Sequence, residues 1–348
     1  MRSTDVTRSR IRSVAALALA AGFVLVPVVP AGACACGGIA PSPGSEVAVG
    51  EEHAIVSWRD GDRHSGVEQI DLLLDVQSAE LATGLIFPTP APATVSLGDR
   101  ADFEAIDRVT TPERIEEYDW WTFREAGDGA TGGAAPEVLD VVQLGPLEAV
   151  TLAASDSAGL SAWLADNGFT LAPEVTALLE GYVERGWYFV ALTLTGDAPL
   201  DRGLDPLRFR FDAEDLVYPL ELSRAATSSQ TVRVFVFDDH RQRVSFAGSG
   251  TPAGAFTSWA AAVAGTEVEE FGDYLTVFEL YFAEPDSQIL ADLDFADALS
   301  DETTGTEYRV SVPVGLFGIP LGWLLVAFAI VGGFGAVLVV TIVGAKHS

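Results

Sequence analysis

Basic side chains are scarce in this chain of 348 residues, in which one lysine and 19 arginines face 50 acids. The shortage sharpens once the ends are set aside, because Arg2, Arg8, Arg10, Arg12 and Lys346 are terminal while Asp5 is the only acid outside residues 34–312. That middle stretch holds 49 acids against 15 arginines, a formal charge of −34. A nucleic-acid binder needs a basic footprint to neutralise phosphates, so that class is excluded. Cysteine is nearly missing too: Cys34 and Cys36 are the only two, which excludes a disulfide framework. Three of the four histidines lie in the middle stretch, His53, His64 and His240, and none stands in a metal or nucleophile pattern such as HExxH or GxSxG. Gly248-Ser-Gly250 lacks the flanks of a nucleophile elbow. The middle also has no long apolar run, and the mean hydropathy of +0.28 comes from two terminal blocks, 14–29 and 316–343. It keeps its Trp, Phe, Val, Leu and Ile, which argues against disorder.

The terminal blocks predict a compartment. Residues 1–33 combine four arginines, an apolar run from Val14 to Val26 and small residues at Ala31-Gly-Ala33, the three parts of a secretory signal. Cleavage is expected after Ala33, since Pro27 and Pro30 interrupt a run already shorter than the ~20 residues that span hydrocarbon. Leu321 to Val343 has 23 residues without a charged side chain, ~34 Å of helix against a ~30 Å hydrocarbon core. Trp323 falls where an interfacial anchor is expected. The expectation is a single-pass type I cell-membrane protein: a signal peptide (1–33), an outside domain (34–312), a transmembrane helix (321–343) in the lipid bilayer, and a short cytoplasmic tail (344–348). Gly332 and Ala336 have the small-xxx-small spacing of a helix contact, though glycine is common in spanning helices.

Within 34–312, the glycine-rich segment 127–136 reads as a loop or soft boundary. Strand patterns run from His53 to Trp58, Val67 to Val76, Thr83 to Phe87, Val138 to Leu144, Leu147 to Leu152, Trp187 to Leu194, Leu207 to Phe211, Val217 to Leu222, Val232 to Phe237, Tyr274 to Phe282 and Tyr308 to Val312. A short helical pattern begins at Phe103 and Ile106. One amphipathic helix places Leu160, Trp163 and Leu164 on a face after an Asp156 or Ser157 cap. Another starts at Pro173, repeats apolar residues at Val175, Leu178, Leu179, Tyr182 and Val183, and stops at Gly186. The predicted fold is α+β: a mainly antiparallel sheet with two or more amphipathic helices and the C-terminal transmembrane helix. No internal repeat is visible.

Several segments resemble one family. They are Cys34-Ala-Cys36-Gly-Gly38, Ile86-Phe-Pro-Thr-Pro-Ala-Pro92, the set Phe103, Ile106, Val109, Thr110 and Pro112, Ala162-Trp-Leu-Ala-Asp-Asn-Gly168, Gly181-Tyr-Val-Glu-Arg-Gly-Trp-Tyr-Phe-Val190 and Leu216-Val-Tyr-Pro-Leu220. In this order they resemble a bacterial secreted family catalogued as domain of unknown function 2330, over roughly residues 34–245. The resemblance implies a chain that often ends in a membrane helix, and it carries no activity, substrate or catalytic residue.

Candidate sites are therefore few. Outside the cell Cys34 and Cys36 are expected to form a local disulfide; lipidation of Cys34 is the lesser reading, because Ala31 stands where a lipobox prefers leucine. Trp120 and Trp121 are a candidate platform for a glycan or wall polymer, set against the plainer reading of half-buried core residues. The acidic groups Asp60 with Asp62, and Asp292 with Asp294 and Asp297, have spacings that suit calcium but lack the glycine and distal glutamate of an EF-hand loop. With so many acids a solvated surface accounts for them better. His53 reads as a surface or core-edge residue, and His240, in Asp238-Asp-His-Arg241, as part of a polar turn. No catalytic, metal or cofactor-binding residue is assigned. The functional expectation is a non-enzymatic binding, sensing or structural domain that meets a cell-wall component or a membrane protein; the alternative is a cell-envelope hydrolase working through carboxylates.

Overall fold

The structure, a computed structural model, describes residues 33–34, 37–41, 48–59, 66–77, 83–119, 147–154, 156–166, 171–194, 205–316 and 319–331. Along the chain come β1 (Ala33–Cys34), β2 (Gly37–Pro41), β3 (Ala48–Trp58), β4 (Gly66–Gln77), β5 (Thr83–Thr89), β6 (Thr94–Leu97), α1 (Arg100–Val109) and β7 (Glu113–Asp119). After them stand β8 (Leu147–Ala153), α2 (Ser157–Asp166), α3 (Pro173–Glu184), β9 (Tyr188–Leu194), β10 (Leu207–Ala213), β11 (Val217–Tyr218) and a 3-10 helix, Glu221–Ala225. The rest is β12 (Gln230–Asp238), β13 (Gln242–Phe246), β14 (Phe256–Ala262), a second 3-10 turn at Glu269–Phe271, β15 (Tyr274–Phe282), α4 (Pro285–Gln288), β16 (Leu293–Asp297), β17 (Glu307–Pro313), β18 (Gly315–Leu316) and β19 (Ile319–Pro320).

Two large sheets carry the fold. Seven strands run in the order β14-β15-β12-β3-β4-β10-β6, and five in the order β1-β2-β5-β9-β8. A three-stranded sheet, β11-β16-β13, sits beside the five. Pairing is antiparallel throughout except for β3 with β12 and β7 with β17. Strands from both sides of residues 127–136 share each large sheet.

Alternation along the strands assigns the two faces of the seven-stranded sheet. Val56, Ile70, Phe209, Val234 and Leu280 face the main core, where they meet Phe87 and Val190 of the five-stranded sheet and Phe246 and Phe295 of the three-stranded one. Phe87 stacks on Phe209 at 4.1 Å across that core. The opposite face turns Ile55, Phe235 and Leu275 towards Phe103 and Ile106 of α1. On its far side the five-stranded sheet presents Ile86, Phe189 and Ala191 to Leu160 and Leu164 of α2 and to Val175, Leu179 and Tyr182 of α3. The result is four layers: helix, sheet, sheets, helices.

The helix ends follow local chemistry. Asp99 caps α1 by accepting from Ala101 N at 2.9 Å, and Asp156 caps α2 by accepting from Gly159 N at 2.6 Å. Pro173 opens α3, and Gly186, at φ +76°, lets the chain leave it in the left-handed region.

Two expectations need restating. The segment from Val217 to Leu222 is not one strand: β11 stops at Tyr218, because Pro219 offers no N–H to continue a ladder, and the chain then turns into the 3-10 helix. Residues 321–331 are helical, with Phe328, Ile330 and Val331 exposed. Among the described residues, however, no helix is long and apolar enough to cross a membrane, and residues 332–343 lie outside them.

Candidate acidic cleft

Two strand pairings bring distant acids together. β10 against β4 sets Asp212 beside Val67 and Ala213 beside Gly66. The turn through Glu214 and Asp215 then leads into β11, whose pairing with β16 sets Val217 beside Asp294. Pro90 follows β5, and Trp187 follows the stop of α3, where its ring packs on Tyr182 at 5.1 Å. These residues line a cleft of about 750 Å³. Among the described residues its wall carries four carboxylates and no basic side chain, with Trp187 as its aromatic residue; the Arg185 guanidinium lies 5.4 Å from the centre of the Trp187 ring.

Glu68 lies directly behind this wall and is fully buried. Its Oε1 accepts from the backbone N–H of Val217 at 3.1 Å, while Oε2 has no hydrogen-bond partner among the described residues. Burial pushes its pKa well above the usual carboxylate range, and the charge of Asp294 pushes it the same way; the Val217 N–H opposes them. Asp294 is also raised, first by burial and then by Asp215. The acids on the cleft wall can attract a cation, and Asp294, whose carboxyl is shifted towards its neutral form, can exchange a proton.

A second network fixes one border of the cleft. Asp292 Oδ1 accepts from the Tyr182 hydroxyl and from the N–H groups of Leu220 and Glu221, both at 2.9 Å. Arg185 donates to Asp292 Oδ2 at 3.3 Å and to Glu221 at 3.0 Å, and its guanidinium lies 4.3 Å above the Tyr182 ring. Burial raises both Asp292 and Tyr182. Asp292 thus ties α3, the 3-10 helix and the start of β16 into one unit, and two segments that carry the family resemblance, 181–190 and 216–220, meet at it.

This corrects the expectation for the acids near β16. Asp292 is not solvated but 4% exposed, because it satisfies two backbone N–H groups and a buried phenol. Asp294 faces the cleft, and Asp297 accepts from Gln242 at 2.9 Å, so the three acids serve three different places. No group of three possible ligands converges on a metal site among the described residues. His53 is half-buried, edge-on to Phe235 at 6.1 Å. His240 meets Asp301 at 2.8 Å in the turn between β12 and β13. The backbone of Cys34 belongs to β1, while Cys36, Trp120, Trp121, His64, Asp60 and Asp62 lie outside the described residues.

Sequence reasoning passed over Glu68, yet a signal was present. It occupies the first place in the alternating series Glu68, Ile70, Leu72 and Leu74, so it is an acid on the apolar face of β4. Glu52 repeats the pattern before Ala54 and Val56 in β3 and accepts a hydrogen bond from the Tyr218 hydroxyl.

Fold and site together define a four-layer α+β domain, mostly antiparallel, with an acid-walled cleft where three sheets meet. The chain belongs to the family described as uncharacterized proteins conserved in bacteria, domain of unknown function 2330, whose model matches residues 30–296. Among solved structures it is similar to baculovirus P35, at 10% identity and a TM-score of 0.30, over 75% of this chain and 94% of that one. Comparison with curated proteins finds no match.

Proposed function

We propose that this chain is a single-pass, membrane-anchored bacterial surface protein whose outside domain binds a cationic component of the cell envelope in the acidic cleft. The observation that carries the reading is the cleft itself, where Asp212, Glu214, Asp215 and Asp294 converge with no basic side chain among the described lining residues. An ammonium or guanidinium group gains from the carboxylates by charge and by charge-assisted hydrogen bonds. Anchoring draws support from the exposed apolar side chains of helix 321–331 and from the uncharged sequence that continues to Val343.

Asp294 favours a second reading. A raised carboxyl beside the carboxylate of Asp215 is the pairing a hydrolase uses for its general acid and base. One variant separates the two. Full-length protein in detergent is titrated with spermine as a cationic probe, and Asp294→Asn is expected to weaken binding about tenfold. Wild-type protein is also incubated with purified cell wall. Absence of spermine binding sinks the binding reading, and soluble wall fragments released by wild type but not by Asp294→Asn replace it with hydrolysis.

A further inference from the structure

A second pocket, remote in character from the acidic cleft, lies between β13, the outer strand β14 and residues 298–302. Its volume is about 350 Å³, and two arginines, Arg241 and Arg243, stand on its wall with one acid, Glu302. In a domain so short of base this is the reverse of the local rule. Most described arginines are already matched: Arg108 with Glu267, Arg208 with Asp71, Arg233 with Asp107 and Glu279, Arg309 with Glu117. Arg243 is exposed and meets no carboxylate or hydrogen-bond acceptor among the described residues, and Arg241 donates to the backbone carbonyl of Glu302. A guanidinium presents a planar fork of donors that suits a carboxylate.

The rest of the lining narrows the ligand. Phe256 is 61% exposed and Leu299 wholly so, which gives the pocket an apolar surface that nothing covers among the described residues. Thr257 and Ser300 add hydroxyls, which an acyl chain would leave unused and amide groups can engage. β14 is also the last strand of its sheet; among the described residues its outer side meets the chain at Thr304, bridged to Ala260, and at Gly305, packed closely on Ser258, while Phe256 and Thr257 lie ahead of that contact. The backbone at Phe256 and Thr257 therefore has an open edge on which an extended chain can pair.

We propose that this pocket captures the C-terminal end of a peptide. The terminal carboxylate sits on Arg243 and Arg241, the last side chain packs on Phe256 and Leu299, and the preceding main chain lies along the outer edge of β14. Neither the family nor the acidic cleft implies such a site.

The test uses full-length protein in detergent micelles and a fluorescent pool of tetrapeptides randomised at the last two positions, read by anisotropy. Free-acid peptides are expected to bind, C-terminal amides at least tenfold more weakly. Arg243→Gln should lose at least tenfold and Arg243→Lys less, with the melting temperature of both unchanged because the side chain is exposed and unbonded. Asp294→Asn should bind the pool as wild type does, so failure at the cleft and failure here read separately. Equal binding of acid and amide, full affinity in Arg243→Gln, or loss of binding in Asp294→Asn would each overturn the proposal. Octanoate competing as well as the peptides would overturn it too, in favour of an acyl carboxylate.

Discussion

Glu68 shows how one side chain can set a pH response. Its proton is held more tightly in the folded chain than in the unfolded one, so its contribution to stability is fullest below the ordinary value of 4.5 and falls as pH rises towards the folded value. Glu68→Gln keeps an oxygen for the Val217 N–H and removes the charge. The variant should melt higher than wild type at pH 8 by at least ~2 °C, the shift expected from about 1 kcal/mol in a chain of this size, and the gain should vanish near pH 4. Equal melting points at pH 8 would mean that a cation or solvent already compensates the buried carboxylate. The same residue marks what was readable from the sequence. Its place on an apolar face was legible from alternation, but the acids opposite come from the β10–β11 turn and from β16, and no local pattern links those segments to β4.

Among the secondary-structure elements, legibility followed periodicity. The strands β4, β9, β10, β12 and β15 alternate or are densely apolar, and α3 repeats at helical spacing, so the sequence placed them closely, whereas β3 starts at Ala48, five residues before the His53 read from the sequence. β14 was missed because Ala260, Ala261 and Ala262 carry little strand preference, and β16 because Leu293, Asp294 and Phe295 looked like acidic spacing rather than alternation. Asp292 was read as a surface acid since its partners, Tyr182, Leu220 and Glu221, are 71 or more residues away in sequence. Its worth can be measured. Asp292→Ala strands two N–H groups and a phenol in a buried setting, at a cost of about 3 kcal/mol, which corresponds to a drop of roughly 6 °C or more in melting temperature. A drop under ~2 °C would show that the 3-10 helix and α3 hold together by apolar contact alone.

For the chain as a whole, the proposed surface location and membrane anchor are open to a direct test. Protease added to intact cells should remove residues 34–312 and leave a small membrane-bound remnant, whereas recovery of the uncut chain from the cytosol would end the surface-protein reading. Orientation also gives meaning to the ribbon formed by β7 and β17, which pair in parallel over seven positions from Glu307 with Glu113 to Pro313 with Asp119. β17 runs on through β18 and β19 to the helix at 321–331, while β7 joins α1 and the body of the domain at its own N-terminal end. A pull on the C-terminus, with the domain held by a partner, therefore draws the two strands lengthwise past each other. All the rungs between them then share the load at once instead of parting one by one as in a zipper, so the ribbon is arranged as a mechanical coupling between the helix at 321–331 and the body of the domain.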